Sequence, residues 1–250
     1  MRKQSAAKSS ASAFLPGHKH FPYGWRWFGK LLIWFLVSRN RRSVLKKERK
    51  RIPALDSAIK TVRREQLKAR ERGLVHAERV FNVGLYVLVM DRDFSVLKVD
   101  MVSTFESWRL RFTARQVALL LYEVCDDLSH MLGKEFRESL AFLGISEPEM
   151  RELEQICKSL GQFKNVNRQF LYVELRNLVA GHRAQDSLLF LETVEHLDPT
   201  RVFQLGADFF AIVHPLTAFL TKTTLRLGQT DFMLKQLLAS PKFLASLESK

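Results

Sequence analysis

Cysteine is scarce in this sequence, and the signatures of several protein classes are missing with it. The two cysteines, Cys125 and Cys157, have neither disulfide-framework nor metal-type spacing, so they are predicted to be small core residues in a reducing compartment. Glycine-rich phosphate loops and the nucleophile-elbow pattern are also absent, which excludes most catalytic signatures. The longest aliphatic and aromatic run without a charge near the start, Leu31 to Val37, is far shorter than the about 20 residues that cross a bilayer. The sequence therefore predicts a cytoplasmic protein without a full membrane span.

Acidic residues are also scarce in the first part of the chain. Met1 to Arg72 contain 20 lysines and arginines but only four acids, a net charge of +16, whereas the whole chain of 250 residues carries +14. The remainder is therefore close to neutral at −2. A field of that size attracts phosphate-rich partners such as nucleic acid or anionic lipid headgroups.

An aromatic segment follows about 22 opening residues, which lack periodicity and are predicted to form a flexible tail rather than a transit peptide. Between Tyr23 and Val37 lie Trp25, Trp27, Phe28, Trp34 and Phe35, with basic residues on both flanks. This pattern suits a helix in a membrane interface, and equally a helix that docks on its own core or on a partner chain. Residues 23–51 are therefore the predicted attachment segment if the protein is membrane-associated.

A basic run follows the aromatic segment directly. Glu48 is the only acid within it, and its eight basic residues are Arg39, Arg41, Arg42, Lys46, Lys47, Arg49, Lys50 and Arg51. No aromatic side chain is interleaved with these charges, so stacking on nucleic-acid bases is not indicated. We expect this run to contact phosphate groups, either of nucleic acid or of an anionic membrane.

Beyond Pro53 the apolar residues recur at helical spacing. A first helix is predicted up to Gly73 and a second over about residues 75–90, and the following stretch FSVLKVDMVSTF is also assigned to helix despite its β-branched residues. Thr113 is predicted to cap a long helix. Ser146, followed by Glu147-Pro148-Glu149, indicates another helix start, and that helix is expected to stop near Gly161.

The last third of the chain continues the helical pattern. Helices are predicted over about residues 165–180 and from Asp198-Pro199-Thr200 to about Gly228, with a kink at Pro215 and a short amphipathic segment over 231–247. We find no internal repeat and no alternation of strands with helices. The predicted fold is all-α: an up-and-down helical bundle over residues 53–250, preceded by a basic N-terminal arm over residues 1–52.

Metal-ligand patterns are weak in this sequence. His18 and His20 lack further ligands, and Asp126 with His130 has the i, i+4 spacing of a shared metal site but no evident third ligand. A polar helix face explains Asp126 and His130 better. The sequence predicts neither a metal nor a cofactor.

One short motif contains side chains of the types found in catalytic sites. In the string LRNLVAGHR, Arg176 is followed by the polar Asn177 and, six residues after the arginine, by His182. Arg70 and His76 share this spacing, but Glu71 follows Arg70 within a charge run, whereas Arg176 lies between apolar helical segments. The motif over Arg176 to His182 resembles the signature of the HEPN superfamily, whose members include ribonucleases of abortive infection, toxin–antitoxin and CRISPR systems. The resemblance covers about residues 113–227.

The side chains of the motif suit RNA cleavage without a metal. RNA supplies its own nucleophile, the 2′-OH, so such an enzyme requires a base for that proton and a cation for the phosphate. His182 titrates near neutral pH and suits the first task, while the permanently charged Arg176 suits the second. Asn177 is expected to orient the imidazole or to hold a phosphate oxygen.

Helix geometry leaves two arrangements of the motif open, and the resemblance implies the dimeric one. Six residues along one ideal helix place Arg176 and His182 about 120° apart, so a distortion at Gly181 or a second subunit is required to bring them together. HEPN nucleases typically form homodimers with two motifs in one cleft and leave a 2′,3′-cyclic phosphate, which implies RNA as the substrate and an antitoxin or larger defence complex as a partner. The alternative is a noncatalytic helical adaptor, in which Arg176 and Asn177 brace the bundle and the basic arm binds nucleic acid or an anionic membrane.

Overall fold

The structure is a computed structural model that describes the backbone of residues 23–170 and 187–227, and the side chains of 41–170, 187–188 and 191–227. Two compact units divide the chain, Met1–Arg42 and Ser43–Lys250. Of the first unit, the structure describes only the beginning of the first helix. In chain order the helices are α1 Tyr23–Glu71, α2 Val75–Ser103, α3 Ser107–Met131, α4 Lys134–Phe142, α5 Glu147–Val166, α6 Ser187–His196 and α7 Pro199–Leu227. The all-α helical bundle predicted from the sequence is confirmed.

Helix α1 is longer than the sequence pattern indicated. It begins in the aromatic segment and runs through Pro53, although proline has no N–H to donate to the preceding turn. It ends at a turn in which Gly73 has a positive φ of 70°, and the N–H of Leu74 reaches back to the carbonyl of Ala69 at 2.9 Å. This arrangement is the glycine-terminated helix end that residues with a Cβ rarely adopt.

Polar pairs hold the second part of α1 against α2. Lys98 Nζ donates to Glu48 at 2.7 Å, Arg92 Nε to Asp56 at 2.8 Å, and Gln66 Nε2 to Asn82 at 3.1 Å, with Arg70 and Glu78 paired closest to the turn. As residue numbers rise on α1, those of the partners on α2 fall. The two helices are therefore antiparallel over this length, as an αα-hairpin requires.

Helices α2 and α3 differ from prediction at their junction. Helix α2 continues through the β-branched stretch to Ser103, which confirms the helical assignment of that stretch. The prediction of Thr113 as the cap of α3 is wrong. Glu106 caps the helix, because its carboxylate accepts from the backbone N–H groups of Trp108 and Arg109, each at 2.6 Å. Thr113 lies inside the helix, and its hydroxyl donates to the carbonyl of Arg109 at 2.9 Å.

Helix α5 begins where the sequence predicted. Ser146 and Glu149 form a reciprocal capping box, with Pro148 in the first turn. The predicted end near Gly161 is wrong, because the helix continues to Val166. A single glycine inside a helix costs only about 1 kcal/mol, and the burial of Leu160 and Phe163 on either side of it offsets that cost.

Helix α7 occupies the centre of the bundle. It begins at Pro199 as predicted, runs through Pro215, and ends at Leu227 within the described residues. Its buried residues recur every three or four positions, and the rings of Phe94 on α2, Phe163 on α5, and Phe209 and Phe210 on α7 meet with centroids 4.9 to 6.1 Å apart. By length and composition alone, α7 is the one described helix that could cross a membrane. Its packing against α2, α3 and α5 gives its apolar residues a role inside the bundle.

Some predictions fall on residues that the structure does not describe. These are the tail before Tyr23, most of the helix predicted over 165–180, and the amphipathic segment predicted over 231–247.

Both cysteines are free. Cys125 is buried in the core and Cys157 is half-buried against it, in agreement with their prediction as small core residues.

Candidate functional sites

The motif residues Arg176, Asn177 and His182 lie outside the described residues, as do the side chains of Arg39 and of the predicted contacts Trp25, Trp27, Phe28, Trp34 and Phe35. The backbone positions of those aromatic residues and of Arg39 are nevertheless described, and all six belong to α1.

The residues on both sides of the Arg176–His182 motif belong to one core. Before it, Phe170 is buried, and the guanidinium carbon of Arg201 at the start of α7 lies 4.0 Å from the centre of the Phe170 ring. After it, Val194 on α6 and Leu197 are buried in the same hydrophobic cluster. The described residues on both sides of the motif therefore belong to the same bundle core.

The second arginine–histidine pair of the sequence, Arg70 and His76, is occupied by structural contacts. Arg70 Nε donates to Glu78 at 2.6 Å. The His76 ring stacks on Phe142 with centroids 4.0 Å apart, and its Nδ1 lies 3.2 Å from Ser139 Oγ. Burial, together with the neighbouring charge of Arg79, lowers the pKa of His76.

His76 and Ser139 do not form a nucleophile and base despite their proximity. Ser139 is fully buried, and its hydroxyl donates to the backbone carbonyl of Glu135 at 2.9 Å. A substrate cannot reach a hydroxyl in that position. The contact instead fixes α4 against α2.

The basic run on α1 divides into exposed and engaged residues. The side chains of Arg42, Lys46, Lys47, Arg49 and Lys50 are exposed. Arg41 is half-buried and has an interaction partner. The exposed cations are available to phosphate groups, and their predicted role in binding stays a prediction.

Within the basic run, Arg51 forms hydrogen bonds and an ion pair that connect α1 to α2. Its Nη2 binds both carboxylate oxygens of Asp91, at 2.5 Å from Oδ1, and its Nη1 donates to Ser95 Oγ at 3.1 Å. Nη1 also lies 3.5 Å from Glu48 Oε2. Burial raises the pKa of Glu48, but the hydrogen bond and charge of Lys98 and the charge of Arg51 outweigh it, so the pKa lies below its usual value.

A cavity of about 580 Å³ adjoins this polar network. Helices α1, α2, α3 and α7 line it, and all of its lining residues belong to the unit Ser43–Lys250. Most of the wall is apolar, including Phe94, Met101, Val117, Phe203 and Phe210. The polar end carries Lys47, Glu48, Arg51, Asp91, Ser95 and Lys98.

Comparisons with known proteins add no identity to these sites. The chain matches no family model, no curated protein and no solved structure. The sites therefore have to be interpreted from their own residues.

The acidic residues of α3 are engaged in contacts across helices. Lys164 on α5 binds the Asp126 carboxylate, and the Tyr86 hydroxyl on α2 donates to Asp127 at 2.7 Å. Burial and this hydrogen bond raise the pKa of Tyr86. Among the residues that the structure describes, no group of three histidine, cysteine or acidic side chains could hold a metal ion. Of the Asp126–His130 pair, Asp126 is thus used in an ion pair between α3 and α5.

Sequence reasoning missed the network around Arg51 and the cavity beside it. Two signals were present: Glu48 is the one acid in the basic run, and Asp91, Ser95 and Lys98 are spaced four and three residues apart on the next helix. That spacing places the three side chains on one face of α2. Only the antiparallel pairing of α1 and α2 brings Arg51 and Glu48 to that face.

Proposed function

We propose that this protein is a metal-independent endoribonuclease of the HEPN type that cuts RNA by attack of its own 2′-OH. The observation that carries the proposal is the Arg176-Asn177…His182 constellation. It lies in the sequence between residues that are packed in the core of an all-α bundle. His182 removes the 2′-OH proton, and Arg176 neutralises charge on the phosphate in the transition state. Asn177 orients the imidazole or holds a phosphate oxygen.

Two features of the described residues support this assignment. The bundle has the fold class that the resemblance implies, and described residues on either side of the motif are packed in its core. Arg70 and His76, which have the same spacing, are occupied by Glu78, Phe142 and Ser139 and so do not compete for the catalytic role.

The exposed cations of α1 supply a generic attraction for the substrate. Four exposed cations lie within five consecutive residues of this helix: Lys46, Lys47, Arg49 and Lys50. They can bind the phosphates of an RNA backbone without recognising a base sequence.

In this proposal the protein works as a homodimer with two motifs in one cleft. An antitoxin or a larger defence complex restrains it.

The test is RNA cleavage in EDTA by the purified full-length protein. We expect His182→Ala to slow cleavage by at least about 100-fold, since general-base catalysis contributes that much or more, and Arg176→Ala to slow it strongly as well. His130→Ala is the matched control, because His130 is an exposed histidine on α3 outside the motif. Wild-type cleavage rates in His182→Ala with an intact fold would exclude the proposal.

A second candidate function is a noncatalytic adaptor on an anionic membrane. It is favoured by the continuity of α1, which carries the aromatic segment and the basic run in one helix, Tyr23–Glu71. Flotation with phosphatidylcholine vesicles, with and without phosphatidylglycerol, tests it. We expect the full chain to float only with the anionic vesicles and a chain beginning at Ser43 to float much less. Equal flotation of the two chains counts against this candidate.

A further inference from the structure

The cavity between α1, α2, α3 and α7 has the size and the lining of a ligand site. Its volume of about 580 Å³ lies within the range of roughly 300–1,000 Å³ in which small-molecule sites fall. Its apolar walls come from four helices of the same compact unit, so they form part of the bundle itself. Phe203 lines the cavity yet remains 41% exposed, and a ligand in the cavity would cover it.

The polar end of the cavity holds one cation without a partner. Glu48 is only 2% exposed and is held between Lys98 and Arg51, so its Oε2 is closed to a ligand in the cavity. Lys47, at the same end, is exposed and has no ion-pair or hydrogen-bond partner within the described part of the chain.

The charges at this end select the sign of the ligand. Arg51 is occupied by Asp91, and Lys98 by Glu48, which leaves the ammonium of Lys47 as the uncommitted charge. A cationic head group would face Lys47 without a compensating carboxylate and be repelled. A purely apolar ligand would fill the cavity but leave Lys47 without a partner.

We propose that this cavity binds an amphiphile with one apolar chain and an anionic head group. The chain packs against Phe94, Met101 and Phe210, and the head group forms an ion pair with Lys47. Free fatty acids and anionic lysophospholipids share this chemistry. The inference shares Lys47 with the cations proposed to attract RNA, but it involves no residue of the proposed catalytic motif.

Calorimetric titration of the full chain tests the proposal, with each lipid below the concentration at which it forms micelles. The probes are palmitoyl lysophosphatidylglycerol, palmitate, and palmitoyl lysophosphatidylcholine as a zwitterionic comparison. We expect lysophosphatidylglycerol and palmitate to bind at least about tenfold more tightly than the zwitterionic lipid, a difference of about 1.4 kcal/mol.

Two pairs of variants locate the site. Ala207→Trp places a large ring at a cavity-lining position and is expected to reduce affinity at least about tenfold, while Ala218→Trp, at an exposed position of the same helix outside the cavity, leaves it within about twofold. Lys47→Gln is expected to remove the preference for anionic head groups. Lys50→Gln, exposed on α1 and outside the lining, retains that preference.

Several outcomes would overturn the proposal. Absence of binding by both anionic lipids would do so, as would equal affinities of Ala207→Trp and the wild type. Equal binding of anionic and zwitterionic lipids would overturn the assignment of Lys47. A change of oligomeric state in Ala207→Trp without any lipid binding would show that a second copy of the chain covers the cavity.

Discussion

At the scale of single residues, charge on this protein has two different uses. Arg51 bridges Asp91, Ser95 and Glu48 while 41% of its side chain remains exposed, whereas its neighbour Arg49, two positions earlier in the same basic run, is exposed and takes no part in this bridge. A net charge counts both arginines alike. Their energetic roles differ because one guanidinium compensates buried carboxylates and the other is solvated.

Replacing these two arginines separates the roles. Arg51→Ala leaves the buried Glu48 and Asp91 without their shared cation, so we expect the free energy of unfolding to fall by about 2 kcal/mol. Arg49→Ala is the matched control, with an expected change within about 0.5 kcal/mol. Urea denaturation monitored by circular dichroism measures both. Equal stability of the two variants would show that the Arg51 bridge makes no net contribution to the free energy of unfolding.

Glu149 is the residue whose charge makes stability depend on pH. Arg226, Lys222 and the Ser146 hydroxyl hold its pKa well below the ordinary value of 4.5. Because the folded-state pKa is depressed, the ionised carboxylate stabilises the fold fully above about pH 4.5, and this contribution is lost as the pH falls toward the folded-state pKa. Hydrogen bonds from Arg226 and Ser146, both 2.7 Å long, account for much of the effect.

We expect Glu149→Gln to lower the free energy of unfolding by about 2 kcal/mol at pH 7, because both the capping box and the charged contacts to α7 are weakened. The difference from the wild type should shrink as the pH is lowered below about 4.5. Urea denaturation at a series of pH values measures it. Glu152→Gln, at an exposed position of the same helix, serves as the control. A pH-independent difference would contradict the role given to the carboxylate charge.

At the scale of elements, helix ends are decided by which side chain reaches the free N–H groups. Both Glu106 and Thr113 are residue types that can accept from backbone N–H groups near the start of α3. Glu106 caps the helix since Thr104 and Phe105 leave the helical conformation before it, which frees its carboxylate to accept from Trp108 and Arg109. Thr113 instead turns its hydroxyl back to the preceding turn, as threonine does inside helices.

Removing the cap of α3 should cost a measurable fraction of the stability. We expect Glu106→Ala to lower the free energy of unfolding by about 1 kcal/mol, because two backbone donors lose their acceptor. Glu123→Ala, at an exposed position in the middle of the same helix, is the comparison, with an expected change within about 0.5 kcal/mol. If the two alanine variants melt at the same temperature, Glu106 does not cap the helix in solution.

At the scale of the whole molecule, charge is distributed unevenly along the chain. The cations of α1 are exposed over residues 46–50, whereas exposed charges on α5 belong to the near-neutral remainder of the chain. If RNA binds through α1 as proposed, it releases condensed counterions, and its affinity is expected to fall as salt rises. This term would contribute affinity without sequence preference.

Neutralising two of these cations should reduce the salt dependence. We expect Lys46→Gln with Lys50→Gln to lower the slope of log affinity against log salt by about 1.4 for single-stranded RNA, since each phosphate contact contributes about 0.7. Fluorescence anisotropy with a labelled oligonucleotide measures the slope. Arg151→Gln with Lys158→Gln on α5 removes the same charge elsewhere and should leave the slope nearly unchanged. Equal slopes for both double variants would mean that RNA does not bind at α1.

Much of the fold could be predicted from local features of the chain. Apolar spacing at three and four residues indicated the helices, and the capping box at Ser146 and the proline at 199 marked two helix starts correctly. The end of α5 and the start of α3 were predicted wrongly, because burial of Phe163 extends the first and a competing acceptor, Glu106, decides the second. The motif over Arg176 to His182 was likewise found from sequence alone, and its role stays a prediction.

The sequence by itself determined the all-α class, the basic first part of the chain and the residue types of the proposed catalytic motif, because helical periodicity, charge and side-chain chemistry are local properties. Only the tertiary structure decided that Arg51 and Glu48 face Asp91 and Lys98, and that four helices leave a cavity beside them. These residues lie about 40 to 50 positions apart in the chain. No local pattern specifies which face of α1 meets which face of α2. That choice follows from burying the apolar side chains of the whole bundle at once.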